Sequence, residues 1–183
     1  MIPGLIVKKG KVRPHLFEPP FSCEAVFSPC MAYRYWLEWR WSDAPALIVW
    51  MLNPSTADHQ KLDPTISGLV KRAKRWGYGA VIVINLFAYR ATDPRDMKAQ
   101  ADPIGPANDA LTEIAIARSI DSGFPIVCGW GNHGSHRARD SWARDLARLR
   151  ACPLSAFAIT GEGQPQHPLY IAHDIRPEPW AIS

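Results

Sequence analysis

The chain is predicted to be an α/β protein, a three-layer αβα arrangement around a mainly parallel four-stranded central sheet with an N-terminal antiparallel edge strand or hairpin. Three observations predict it. Predominantly apolar runs at 46–52, 80–84, 125–130 and 154–160 read as strands, the first of them continuously apolar as in a strand covered on both faces. Segments of helical apolar spacing separate them, at 63–77, 106–120 and 136–150. Strands alternating with helices imply a parallel sheet between helical layers. Thirdly, polar motifs stand directly after the apolar runs, where the carboxyl ends of parallel strands open a ligand crevice.

Taken in order, residues 1–22 hold several prolines and little periodicity and read as an irregular arm; residues 23–183 read as a single α/β domain. Tyr33, Tyr35, Leu37, Trp39 and Trp41 share one period-two face, with Arg34, Glu38 and Arg40 opposite, the pattern of a half-exposed strand. Ser42-Asp43-Ala44-Pro45 turns the chain into the run at 46–52. Asp63-Pro64 is a helix start, with Ile66, Leu69, Val70 and Ala73 recurring at helical spacing until Gly77. The second helix turns Leu111, Ile114, Ala115 and Ile120 inward and stops at Gly123. The third is basic and amphipathic.

With 183 residues and 47% apolar composition the chain suffices for one well-buried core. Its 21 basic and 17 acidic residues give a net charge of +4, which permits an anionic partner without requiring one. Cys23, Cys30, Cys128 and Cys152 lack the C-x2-C spacing of zinc sites and most of them read as buried thiols, so no metal is expected. No run has the length of a membrane span and Met1 to Gly10 is too short for a signal core, so a cytoplasmic protein without a membrane partner is expected.

The motifs carry the chemistry. Asn53 follows a buried strand and precedes Pro54, which restricts it to extended or turn geometry and projects its amide beside Ser55. Asp58, in the same loop, could orient or deprotonate water; an Asx turn with an exposed carboxylate is the alternative. Asn85 repeats the arrangement after the second run, with an amide able to read a flat base edge. Phe87 and Tyr89 beside it could stack on that base, and Arg90 could meet a phosphate, unless these side chains simply pack or lie on the surface. Asn108 reads as helix-start chemistry or a tie to the active-site loop.

Gly131 allows close backbone approach to a ligand, and His133 could contact DNA phosphate. The helix beyond carries Arg137, Arg139, Arg144, Arg148 and Arg150 against Asp140 and Asp145, a nucleic-acid surface or a solvated face. His167, near the end of the fourth run, could as a neutral imidazole donate to an oxyanion. Leu169 and Tyr170 could wedge into a base stack or pack.

Arg34-Tyr35, Met51-Leu52-Asn53-Pro54-Ser55-Thr56-Ala57-Asp58, Asp63-Pro64-Thr65, the segment from Asn85 to Thr92, that from Asp102 to Asp109, Trp130-Gly131 and His167-Pro168-Leu169-Tyr170 together resemble the bacterial and phage family catalogued as DUF1643, a domain of unknown function. The resemblance covers residues 24–173. The order of the motifs at the strand ends also resembles the uracil-DNA glycosylase superfamily, through Asn53-Pro54, Asn85, Trp130-Gly131 and His167-Pro168.

That second resemblance implies hydrolysis of an N-glycosidic bond of a damaged or modified base in DNA, without metal or cofactor. Asn53 or Asp58 would place water, Asn85 would read a flipped base stacked on Phe87, and His167 would stabilise the departing base. The chain departs from the superfamily pattern in Ser55-Thr56-Ala57-Asp58 and in Leu169-Tyr170 after His-Pro, which leaves the base open. The competing classes are a noncatalytic nucleic-acid or nucleotide-binding module and a hydrolase of free nucleosides. Only a DNA-directed protein would show strong salt dependence.

Overall fold

The computed structural model describes residues 4–12, 21–55 and 63–180. It is a mixed α/β chain with one eight-stranded sheet and four helices among the described residues. The strands are β1 (Ile6–Val12), β2 (Phe21–Phe27), β3 (Arg34–Arg40), β4 (Ala46–Met51), β5 (Ala80–Asn85), β6 (Ile126–Cys128), β7 (Leu154–Ala156) and β8 (Glu178–Pro179). The helices are α1 (Pro64–Arg75), α2 (Pro94–Lys98), α3 (Asn108–Ser122) and α4 (Arg139–Leu149).

Across the sheet the order is β1-β2-β3-β5-β4-β6-β7-β8. The pairs β4/β5, β4/β6 and β6/β7 are parallel, whereas β1/β2, β2/β3, β3/β5 and β7/β8 are antiparallel. The expectation of a mainly parallel sheet is therefore corrected to a mixed one. The N-terminal strands β1, β2 and β3 pair antiparallel in succession, and β3 joins the parallel strands by pairing antiparallel with β5. Part of the N-terminal segment was expected to be an irregular arm; it contains β1, paired from Ile6↔Phe27 to Val12↔Phe21.

β3 is not an edge strand. It lies between β2 and β5, with Tyr35, Trp36, Leu37 and Trp39 all buried. Its polar residues are accommodated by pairing with one another and with α3: Glu38 accepts from Arg40 at 2.9 Å and from Arg118 at 3.0 Å, and the Arg118 guanidinium lies 4.9 Å from the Trp36 ring centre.

α1 begins as expected. Asp63 accepts from the Ile66 N–H at 2.8 Å, Pro64 occupies the first turn, and Ile66, Leu69, Val70 and Ala73 are buried against Val49, Val81 and Val83. On the opposite face of the sheet Trp50, Ile82, Ile84 and Trp130 pack with Leu111, Ala115 and Ala143. α3 ends at Gly123 in the left-handed conformation, as predicted, yet Ile114 and Ile120 are exposed. Its buried stripe runs through Asn108, Leu111, Thr112, Ala115, Ile116 and Ser119, an i, i+3, i+4, i+7 succession that excludes both isoleucines. Among the described residues no helix is long and apolar enough to cross a membrane.

Candidate functional site

A cleft of about 900 Å³ opens beyond the carboxyl ends of β4 and β6, within the range of small-molecule sites. Met51, Leu52, Asn53 and Ser55 form one side, Trp130, Gly131, Asn132 and His133 another, and Thr160, Gln166, His167, Leu169 and Tyr170 a third. The start of α1, Asp63 to Thr65, closes the remaining side with Ala91, Thr92 and Pro94. Three of the four sequence motifs thus meet in one place. Among the described residues no cluster of three His, Cys, Asp or Glu side chains is suited to a metal ion.

His167 has the most defined chemistry. Its Nδ1 accepts from the Leu169 N–H at 3.2 Å, so a neutral ring carries its proton on Nε2. Burial lowers the imidazole from its ordinary value, opposed by the charge of Asp63. In the unfolded chain the group titrates near about 6.5, so the unfolded state binds the proton first as pH falls. The stability contributed by neutral His167 is complete above that value and is lost as pH falls through the lower folded value. His136, also lowered by burial, acts with the same sign. Urea midpoints measured between pH 8 and pH 5 are expected to fall, and His167→Gln should flatten the dependence.

The loop carrying His167 is anchored from below. Arg72 of α1 is 2% exposed, and its Nη2 donates to the carbonyls of Pro168 at 3.2 Å, Ile171 at 2.5 Å and Ala172 at 3.4 Å. Its guanidinium also faces the Phe157 ring at 5.1 Å. The sequence reading missed this residue. The available signal was Gly68 one turn earlier: a Cβ there would lie 3.3 Å from His173, so the chain after His167 passes close over α1.

The walls are held by side-chain bonds the sequence did not announce. The Trp130 indole donates to Gln164 at 2.9 Å, and Gln164 donates to Asp140 at 2.7 Å. Asn132 donates to Glu162 and accepts from Thr160. Gly134 sits against Trp130, where an added Cβ would lie 2.1 Å from Cδ1. Gly134→Ala is expected to cost about 2–3 kcal/mol through overpacking of a fixed indole, read as a lower urea midpoint with altered tryptophan fluorescence. Gly131 adopts φ +67°, ψ −173°, a conformation glycine tolerates, and donates to Pro165 at 2.8 Å.

The other motif residues are placed differently. The Asn53 amide nitrogen donates to Ala91 at 2.7 Å and to Pro54 at 3.2 Å, which commits it to the loop and leaves only its oxygen for a ligand. Pro54 is buried and its carbonyl accepts from Ala91, so it braces the cleft without facing it. Asp58 lies outside the described residues.

Residues 86–90, directly after β5, do not line the cleft; the chain reaches it only at Ala91. Leu86 and Phe87 donate to the carbonyls of Met51 and Leu52, Ala88 and Tyr89 to Ile104 and Pro103, and Ala91 to Pro54. This zipper directs Phe87 into the core, 5.6 Å from the His136 ring, rather than onto a ligand. Tyr89 packs edge-on against Tyr33 at 5.8 Å. Arg90 donates to Met31 at 3.2 Å over the Phe27 ring, holding the β2–β3 turn instead of a phosphate.

Asn85 is 1% exposed and outside the cleft lining; neither polar atom of its amide has a partner among the described residues. Asn108 secures its main chain, donating to the Asn85 carbonyl at 2.9 Å and that of Leu86 at 3.1 Å, so it ties the end of β5, outside the cleft lining. At the cleft mouth Leu169 and Tyr170 are 49% and 74% exposed, and the His133 ring meets Lys98.

Residues 34–169 match the family described as "Protein of unknown function (DUF1643)". The chain belongs to this family. The DUF1643 span runs from the start of β3 to Leu169 and so contains the cleft-lining residues other than Tyr170. No curated protein and no solved structure gives a match.

Proposed function

We propose that the cleft belongs to a nucleobase-processing enzyme that hydrolyses an N-glycosidic bond of a damaged or modified base in DNA. The observation that carries this reading is His167, a partly buried imidazole whose Nδ1 is engaged by the Leu169 N–H and whose Nε2–H remains as donor. Water adds across the bond: its oxygen joins the sugar carbon, the carbon–nitrogen bond breaks, and the base leaves with the bonding pair and takes up a proton. A donor aimed at the charge developing on that base lowers the barrier.

The topology supports it. We read β5-β4-β6-β7, mutually parallel, as a core like that of the uracil-DNA glycosylases, with motif-bearing loops at its carboxyl ends. The Asn53 oxygen or the Asp63 carboxylate would hold the water, since both residues line the cleft. Tyr170, exposed at the mouth with its ring 5.7 Å from that of His167, takes the stacking role first given to Phe87.

A noncatalytic nucleotide-binding module is the second reading, and the commitment of the Asn53 nitrogen to Ala91 favours it. A base-excision assay separates the two. Single- and double-stranded oligonucleotides carrying uracil, mismatched thymine, hypoxanthine or phage-type modified bases are incubated with protein and scored for abasic sites. Abasic sites formed by the wild type support the enzyme. Binding without any excision supports the module, and cleavage of free nucleosides alone would replace DNA as the substrate.

A further inference from the structure

The arginines of the basic α4 segment prove to be largely neutralised. Arg139 pairs with Asp109 at 2.6 Å, Arg144 with Asp140 at 3.5 Å, Arg148 with Asp145 at 2.7 Å and Arg150 with Glu113 at 2.8 Å. A helix face whose charges are each matched by a carboxylate attracts a polyanion weakly. The expectation of a nucleic-acid surface along this helix therefore loses its charge.

Positive charge without such partners gathers elsewhere, beside the cleft. The Lys98 ammonium, at the end of α2, meets the Nδ1 of His133, a cleft-lining residue, at 3.1 Å. Among the described residues Arg137 donates only to main-chain carbonyls, of Ala101 at 3.0 Å and Gln100 at 3.0 Å, from a backbone at φ +53°. Neither Lys98 nor Arg137 has a carboxylate partner among the described residues. The nearby Asp93 is bound by Arg95 at 2.6 Å, and Asp96 acts on the same arginine. His136 lies close enough to feel both Lys98 and Arg137.

We propose that Lys98, His133 and Arg137 form a phosphodiester-binding track at the mouth of the cleft, which holds a nucleic-acid strand while one of its bases enters. The inference deepens the preceding reading and rests on it for the base, though the track can be tested without turnover. Lys98 meets the β6 side of the mouth through His133, which lines the cleft, and Arg137 is anchored on Gln100 and Ala101 just after α2; exposed Tyr170 and Leu169 lie on the His167 side. A strand crossing between them meets charge on one side and an aromatic face on the other, the combination that single strands favour.

The test is fluorescence anisotropy with an unmodified labelled single-stranded oligonucleotide, its duplex and a labelled mononucleotide, over a series of salt concentrations. Wild type is compared with the double variant Lys98→Gln, Arg137→Gln and with Arg148→Gln, which removes one paired charge from α4. Loss of two phosphate contacts should weaken single-strand binding by tenfold or more at low salt and reduce the log–log salt slope by about 1.4. Arg148→Gln should bind as wild type. Equal weakening in both variants, or no oligonucleotide binding by the wild type, overturns the track. Mononucleotide binding weakened as strongly as strand binding overturns the strand in favour of a free nucleotide. Since excision is scored separately, a track that survives without excision removes only the catalytic reading.

Discussion

Arg72→Met should lower the stability of the fold by about 3 kcal/mol, because three carbonyls of the loop after His167 lose one charged donor in a buried position. Hydrogen bonds from a charged group are each worth roughly 1.5–3 kcal/mol, and methionine fills the volume of the guanidinium stem without replacing them. For a chain of this size the loss corresponds to about 6–12 °C in Tm. Arg72→Lys keeps one cation but not the planar fork and should recover only part of it. Amide exchange of Leu169 to Ile171 should accelerate in step with the loss. A methionine variant as stable as wild type, with unchanged exchange there, would mean that the loop is held by something other than Arg72.

His167→Ala should reduce excision by roughly 10²–10³ in kcat, the effect of removing one donor from a developing negative charge. KM should change little, since a neutral donor engages weakly with an uncharged ground state. His167→Asn supplies an acceptor for the Leu169 N–H and an N–H2 donor toward the cleft, and should retain more activity than alanine. His167→Asp supplies the same acceptor without an N–H donor, so activity recovered by asparagine and not by aspartate distinguishes a group acting on the reaction from one that only shapes the loop. If alanine turned over like wild type, the proposed role of His167 would be lost and with it the central support for the glycosidic reading.

Local chemistry was legible. Asp63-Pro64 starts α1 and Gly123 stops α3 because cap and left-handed preferences depend on a few adjacent atoms. The motifs around Asn53, Gly131 and His167 were readable as one site because apolar runs place their ends at the same edge of a sheet. What failed depended on distant partners. β1 was hidden because its residues become a strand only by pairing with β2. β3 looked half-exposed because Glu38, Arg40 and Arg118 neutralise one another under α3. Phe87 and Arg90 were assigned to the ligand because nothing near them in sequence reveals that their backbone N–H groups are drawn off by the carbonyls of Leu52 and Ala32.

The ends of the sheet govern how copies of this protein meet in concentrated solution. An edge strand is a template for another edge. At one end β8 is only two residues long; at the other β1 carries Lys8, Lys9 and Lys11, with Lys9 tied to Glu24 at 3.2 Å. Two β1 edges approaching one another must bring their lysines together, and that repulsion reaches about 10 Å at 0.1 M ionic strength but only about 3 Å at 1 M. The same strand that completes the fold thus acts as a colloidal guard in dilute buffer, and high salt disarms it.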